Sequence, residues 1–219
     1  MSELINFKRP DAQSCKGYYS ASTDIGAGVV LIQEWWGLND QIKGLADRLA
    51  KQGYRVLVPD LYEGKVTVEA AEAEHLMSNL DFDDAATQNI RGAVQFLKQG
   101  SRRVGVMGFC MGGALTVLSA IHISEVDAAV CWYGVPPAEA GDTRNISIPF
   151  QGHFALDDVF FPIEQVDALE TRLKEGGVDY QFYRYQAQHA FANENNDSYD
   201  SNAFQRAWER SSEFLSKHL

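Results

Sequence analysis

Two continuous apolar runs narrow the folds open to this chain: Gly28-Val29-Val30-Leu31-Ile32-Gln33-Glu34 and Tyr54-Arg55-Val56-Leu57-Val58-Pro59-Asp60. A strand that is apolar on both faces has to be covered on both faces. Between the two, Asn39 or Asp40 can cap a helix that sets Leu45, Ala46 and Leu49 on one side and stops at Gly53. Helical spacing returns over residues 67–80 and again from Asp83-Asp84 to Gly100, with Ile90, Val94 and Leu97 on one face. A short buried strand is expected at the start of the run that opens at Arg103, further strands at 128–134, 146–152 and 179–185, and helices at 114–123, 163–175 and 202–218. Lys16-Gly17-Tyr18-Tyr19-Ser20 reads as an early strand at the sheet edge. Strand and helix alternate from residue 28 onward, which demands a mainly parallel central sheet with helices on both faces, an α/β architecture. With no repeat, low-complexity tract or linker, the 219 residues are expected to form one domain, 1–219.

Within that alternation, Gly108-x-Cys110-x-Gly112 sits where a buried strand turns into a helix. This is the spacing of a nucleophile elbow, with cysteine in the place of the commoner serine. The corner is tight, so the residues two positions to either side must be small. A helix N-terminus also favours a negative sulfur, through its unpaired N–H groups and its dipole. The plainer reading is a packed free cysteine in a glycine-rich turn. The small residues in register around Cys110 favour the elbow.

Composition excludes several partners. The formal charge is −11 and no lysine or arginine run stands out, so nucleic acid and anionic membrane surfaces are poor candidates. Cys15, Cys110 and Cys131 are odd in number and widely spaced, which fits neither a disulfide framework nor a cysteine zinc site and suits a reducing cytosol. No HExxH or paired-histidine spacing points to a metal. The start of the chain lacks the pattern of a signal peptide, and no run nears the roughly 18 apolar residues that span a bilayer. The expectation is a soluble cytoplasmic protein, monomeric for want of an evident interface.

In an open α/β sheet the reactive groups gather at the carboxyl ends of the strands. Glu34, Cys110, the pair Asp157-Asp158 and His189 all fall there. Nucleophile, acid, histidine is the chain order of the α/β-hydrolase triad. His189 can take the thiol proton and return it to a leaving group; its plainer reading is a solvated loop histidine. His75 and His122 lie in helices and His218 in the tail, which leaves His153 as the competitor, equally readable as a polar wall residue. Either Asp157 or Asp158 can orient the histidine.

The chain resembles the dienelactone hydrolase (carboxymethylenebutenolidase) family of the α/β-hydrolase fold. The resemblance rests on Gln33-Glu34-Trp35-Trp36-Gly37, Val58-Pro59-Asp60-Leu61-Tyr62, Gly105 to Gly113, Gly152-His153-Phe154-Ala155 with Asp158 four residues before Pro162, and His189-Ala190-Phe191. It implies a Cys-His-Asp triad of Cys110, His189 and Asp158. It also implies an oxyanion hole from the backbone N–H groups of Met111 and Trp35. Glu34 is then a gate, held near the thiol and displaced by substrate so that it can take the thiol proton; the alternative for Glu34 is an ion pair with an arginine such as Arg55. The implied activity is hydrolysis of esters or lactones through an acyl-thioester, with no cofactor. Two alternatives are a non-catalytic small-molecule binding or redox-sensing protein on the same scaffold, and acyl transfer to an acceptor other than water.

The chain departs from the family where substrate is held. The family's carboxylate-binding arginine four residues after the histidine is Asn193 here, and no Arg or Lys occurs from Val66 to Gln88, with Lys65 and Arg91 flanking that gap. Trp36, Tyr62, Tyr133, Phe160 and Asn193 are the candidate pocket residues. Trp35, Trp132 and Phe161 also fall near the expected mouth, and each of these aromatics reads equally well as core.

Overall fold

A computed structural model of the chain describes residues 2–23 and 25–219. One eight-stranded sheet runs through it, built from β1 (Ser2–Lys8), β2 (Ser14–Ala21), β3 (Gly28–Ile32), β4 (Arg55–Pro59), β5 (Val104–Phe109), β6 (Ala128–Trp132), β7 (Phe150–Asp157) and β8 (Tyr180–Gln188). Their order across the sheet is β1-β2-β4-β3-β5-β6-β7-β8. The strands from β4 to β8 pair in parallel, and only β1 and β2 run antiparallel to their neighbours. Every residue of β3, β5 and β6 is buried, as the apolar runs require.

The helices are α1 (Asp40–Lys51), α2 (Ala70–Ser78), α3 (Phe82–Asp84), α4 (Arg91–Lys98), α5 (Met111–His122), α6 (Ile163–Glu175) and α7 (Ser201–His218). On one face of the sheet, α1 and α7 set Ile42, Leu49, Trp208 and Leu215 against Val29, Leu31 and Met107. On the other, α4, α5 and α6 set Val94, Leu115, Val166 and Leu169 against Val30, Ile32 and Val106. Strand alternation sends successive residues to these two cores. Helix starts follow local chemistry: Asn39 accepts from the Ile42 N–H at 3.1 Å, and Asp200 accepts from the Asn202 and Ala203 N–H groups at 2.9 Å.

Several boundaries differ from the sequence reading. The strand expected at 16–20 is second from the edge, because Ser2–Lys8 pairs along it; with only Phe7 buried, β1 has no apolar alternation to announce it. The helix expected from 83 to 100 contains a π-helical stretch, Ala85–Ile90, between α3 and α4. The strand expected at 146–152 starts after Pro149 and continues to Asp157, drawn on by pairing with β8. It therefore carries His153 inside the sheet and delivers Asp158 at its end.

The corner between β5 and α5 is packed to its limit. A Cβ on Gly108 would stand 2.1 Å from the Gly112 carbonyl oxygen, a backbone atom that cannot step aside. Gly44, in α1, meets nothing within 4 Å. Gly108→Ala is expected to lower unfolding free energy by about 2–3 kcal/mol in urea titrations, whereas Gly44→Ala should raise it by up to ~1 kcal/mol through helix propensity. Equal effects from the two changes would contradict this account of the corner.

Candidate active site

Cys110 occupies the step between β5 and α5 with φ 56° and ψ −118°, a left-handed conformation rare for a side-chain-bearing residue. Two backbone hydrogen bonds hold it there: its N–H donates to the Trp132 carbonyl at 3.0 Å, and its own carbonyl accepts from Ala114 at 3.1 Å. The sulfur is thereby presented, partly exposed, at the carboxyl end of the sheet and at the start of α5.

Two loops converge on it. His189 follows β8, and its Nε2 lies 3.1 Å from Cys110 Sγ. Its Nδ1 lies 2.7 Å from Asp158 Oδ2, beyond the end of β7. The other Asp158 oxygen accepts from the Phe160 and Phe161 N–H groups at 2.8 and 2.9 Å, so the carboxylate is fixed at both ends. Burial pulls the His189 pKa down, but the hydrogen bonds to Asp158 and Cys110, with their charges, outweigh it and push the value up to about 10. Asp157 is exposed and accepts from Gln186 Nε2 at 2.6 Å, away from this chain.

His153 is settled differently. It is fully buried against Trp132, with Nδ1 2.9 Å from the Tyr185 hydroxyl and Nε2 2.9 Å from both Gln151 Oε1 and Ser211 Oγ. Burial first, and then the Arg210 charge, lower its pKa to about 3. It is a neutral core group.

Glu34 is also buried. Tyr133 OH donates to its Oε1 at 3.1 Å and Asn193 Nδ2 to its Oε2 at 2.6 Å. Burial raises its pKa, against the opposing pull of the His189 charge and of these two donors. Arg55 is not its partner: that guanidinium binds the Tyr19 hydroxyl, the Leu97 carbonyl and Ser101. Among the described residues the only hydrogen-bond partner of Sγ is His189, so Glu34 sits beside the centre without bonding the thiol.

Two of the expected pocket residues hold Glu34. Tyr133 is fully buried and braces it; Asn193, nearly buried, braces it and also lines the cavity beside Trp36. Their separation from Glu34 in the chain, 99 and 159 residues, hides this from the sequence. Tyr62 is buried too, donating to Met111 Sδ at 3.2 Å. Trp132 belongs to the core, in contact with Phe109, Phe204 and Trp208. Phe160 does stand at the mouth: it is 56% exposed, and its ring centre lies 4.9 Å from His189 and 6.0 Å from Trp35. Trp36 lines a neighbouring cavity of about 270 Å³ with Asn39, Thr67 and Asn193. Met111 opens α5, where the first N–H groups have no intrahelical acceptor, and Trp35 directly follows Glu34. Among the described residues no three His, Cys, Asp or Glu side chains converge as a metal-ligand set, and no helix is long and apolar enough to cross a membrane.

Comparison with known proteins gives a consistent picture. Residues 15–219 match the model of the dienelactone hydrolase family. The chain is 32% identical to Protein usf of Aquifex pyrophilus and 30% identical to a "Putative carboxymethylenebutenolidase" of Aquifex aeolicus, each over 100% of both chains. Among solved structures it is similar in fold to a dienelactone hydrolase-like promiscuous phosphotriesterase from metagenomic libraries, with a TM-score of 0.86, 24% identity, and 100% of this chain and 98% of the other covered.

The neutral His153 makes an acid-side prediction. Its folded pKa of about 3 lies below the ordinary value of 6.5, so the unfolded chain binds the extra proton between these values. The stabilisation is complete above pH 6.5 and drains away as pH falls towards 3, at a slope approaching 1.4 kcal/mol per pH unit. Urea titrations at pH 7 and pH 4.5 should show His153→Gln with a shallower acid loss than wild type. Parallel losses in the two proteins would rule His153 out as the source.

Proposed function

Since the chain belongs to the dienelactone hydrolase family, and is by that membership a carboxylic ester hydrolase of α/β-hydrolase fold, we propose that it cleaves esters or lactones through an acyl-thioester on Cys110. The observation that carries this reading is the hydrogen-bonded chain Asp158–His189–Cys110, 2.7 and 3.1 Å long, hung on a cysteine at φ 56°. In this reading one domain, 1–219, holds the whole site.

The steps follow from the geometry. His189, pushed up to about 10, holds the proton taken from the thiol, and the sulfur acts as thiolate. Sγ attacks the ester carbonyl carbon, and the oxyanion that forms is received by the Met111 and Trp35 N–H groups. Collapse of the tetrahedral species breaks the C–O bond, and His189 Nε2 gives its proton to the departing alkoxide. The neutral imidazole then takes a proton from water, and hydroxide adds to the thioester carbonyl. The second collapse releases the carboxylic acid and restores the thiolate–imidazolium pair. Asp158 holds Nδ1 throughout and offsets the imidazolium charge.

Glu34 is assigned a gating role. A buried carboxylate beside the sulfur disfavours a second negative charge there. Its hydrogen bonds to Tyr133 and Asn193 hold it off the sulfur, so in this reading it tunes the charge on the sulfur and leaves the proton to His189. Of the other two thiols, Cys15 is buried with a raised pKa, and burial pushes Cys131 up to about 12. A redox sensor would need one of them within reach of Cys110, and Cys131 instead donates to the Gly134 carbonyl at 3.0 Å.

The test is hydrolysis of a panel of esters and lactones by wild type and Cys110→Ala, with mass spectrometry of the quenched wild-type reaction. Turnover should fall by more than ~10³-fold in the variant, and an acyl adduct should map to Cys110. Unchanged turnover in the variant would sink the mechanism. A second expectation concerns the gate: Glu34→Gln should speed alkylation of Cys110 by iodoacetamide several-fold at alkaline pH, where the carboxyl with its raised pKa is ionised in the wild type and its charge is gone from the variant. A slower or equal rate would remove Glu34 from that role.

A further inference from the structure

A cavity of about 530 Å³ opens between α2, α3, α5 and α6, one residue away from the nucleophile. Met77, Phe82, Met111 and Phe161 give it apolar walls, and two polar side chains of α6, Gln165 and Arg172, interrupt them. Met111 follows Cys110 in the chain, and the Phe161 ring lies 5.6 Å from that of His189. Cys110, Asp158 and His189 are not themselves in its lining, so the cavity adjoins the reaction centre through Met111 and Phe161 and runs along α6.

Arg172 has no protein partner in it. Among the described residues nothing hydrogen-bonds or ion-pairs with its guanidinium, and its Nε is buried without an acceptor. Three acids near it are engaged elsewhere. Asp167 and Glu170, on the same helix, are both bound by Arg184. Asp142, which feels the Arg172 charge, is gripped by Arg144 Nε at 2.9 Å. A buried guanidinium N–H left without an acceptor is costly, and a planar carboxylate is its best-matched acceptor.

Direction and distance follow from helix geometry. Side chains on a helix lean towards its N-terminus, and α6 starts just beyond Phe161, so Gln165 and Arg172 lean towards the Phe161 end of the helix. Phe161 and Arg172 are separated by roughly 16 Å along the axis at 1.5 Å per residue, and an arginine reaching back about 6 Å leaves a gap of ~10 Å. The two sides of an ester also sort themselves. A different cavity, of about 390 Å³, is lined by His189, Phe160, Asn196 and Ser198. The leaving alkoxide must face the Nε2 that protonates it, which puts the alcohol portion on that side and the acyl portion on the Met111 side.

Resting on the hydrolase reading above, we propose that the α6 cavity is the acyl subsite and that Arg172 selects acyl chains ending in a carboxylate, so that the preferred substrates are monoesters of medium-chain dicarboxylic acids, of roughly eight carbons. The apolar walls take the methylenes, and the guanidinium takes the distal anion.

The experiment compares p-nitrophenyl octanoate with the p-nitrophenyl monoester of suberic acid, on wild type, Arg172→Met and Arg172→Lys. The ratio of kcat/KM for the suberate ester over the octanoate should fall about ten- to hundredfold in Arg172→Met, through KM, and recover in part in Arg172→Lys. The monoester of succinic acid, too short to reach, should show no dependence on residue 172. An unchanged ratio in Arg172→Met overturns the assignment. Calorimetric titration of free suberate into wild type and Arg172→Met stands apart from catalysis. Were no ester hydrolysed, the hydrolase reading would fail, and the subsite would be judged on this titration alone: at least tenfold weaker binding in the variant supports it, and equal affinity or no binding overturns it.

Discussion

The site depends on one strained backbone position. Cys110 sits at φ 56° with no side-chain cap on the helix it begins, a conformation that costs about 1–3 kcal/mol for a residue with a side chain. What keeps it there is the parallel sheet: β5 enters the corner fully buried between β3 and β6, Trp132 accepts the Cys110 N–H, and α5 is buried along most of its length. The strain is local while the restraint is spread over three strands and a helix, so the sulfur is held out where His189 can reach it. Loops could not impose that conformation by themselves.

A second constraint is electrostatic. Three ionisable side chains, His153, His189 and Glu34, are wholly or largely buried in or beyond strands of this sheet, and their surroundings treat them differently. His153, among Trp132, Tyr185 and Ser211, has only neutral hydrogen-bonding partners and stays uncharged. His189 has a fixed carboxylate on one nitrogen and a sulfur on the other, and becomes cationic. Glu34 is hydrogen-bonded to an amide and a phenol, and burial outweighs these donors and the nearby His189 charge, so its proton is held more tightly. Positive charge is thus confined to the histidine that touches the thiol.

Much of this was legible in the sequence, for identifiable reasons. Continuous apolar runs encode two-sided burial, which located β3, β4 and β5. The small residues around Cys110 encode a close backbone approach, which located the elbow. The family resemblance singled out Asp158 over Asp157 by its spacing to Pro162, and Asp158 is the one that lies 2.7 Å from His189. What stayed hidden depends on contacts between distant segments. Tyr133 reads in the sequence as an aromatic near the mouth and Asn193 as the position of the family's arginine; that both bind Glu34 is visible only in the structure. The edge strand β1 carries no alternation, and the extension of β7 through His153 comes from its pairing with β8. The free guanidinium of Arg172 is visible only once Arg184 and Arg144 are seen to have taken the neighbouring acids.

The Asp158 carboxylate, bound on one side by His189 and on the other by the Phe160 and Phe161 amides, ties two parts of the enzyme that could have varied apart. The peptide that immobilises the acid also displays the aromatic rings beside the histidine. Insertions or deletions in this segment would therefore misplace the carboxylate that holds His189 while moving the rings beside it. Heritable change in substrate range has a freer path through α6 and α2, whose pocket-facing side chains hold nothing in the hydrogen-bonded chain. Descendants of such a protein would be expected to diversify along those helices and to keep the short turn before Pro162 nearly constant in length.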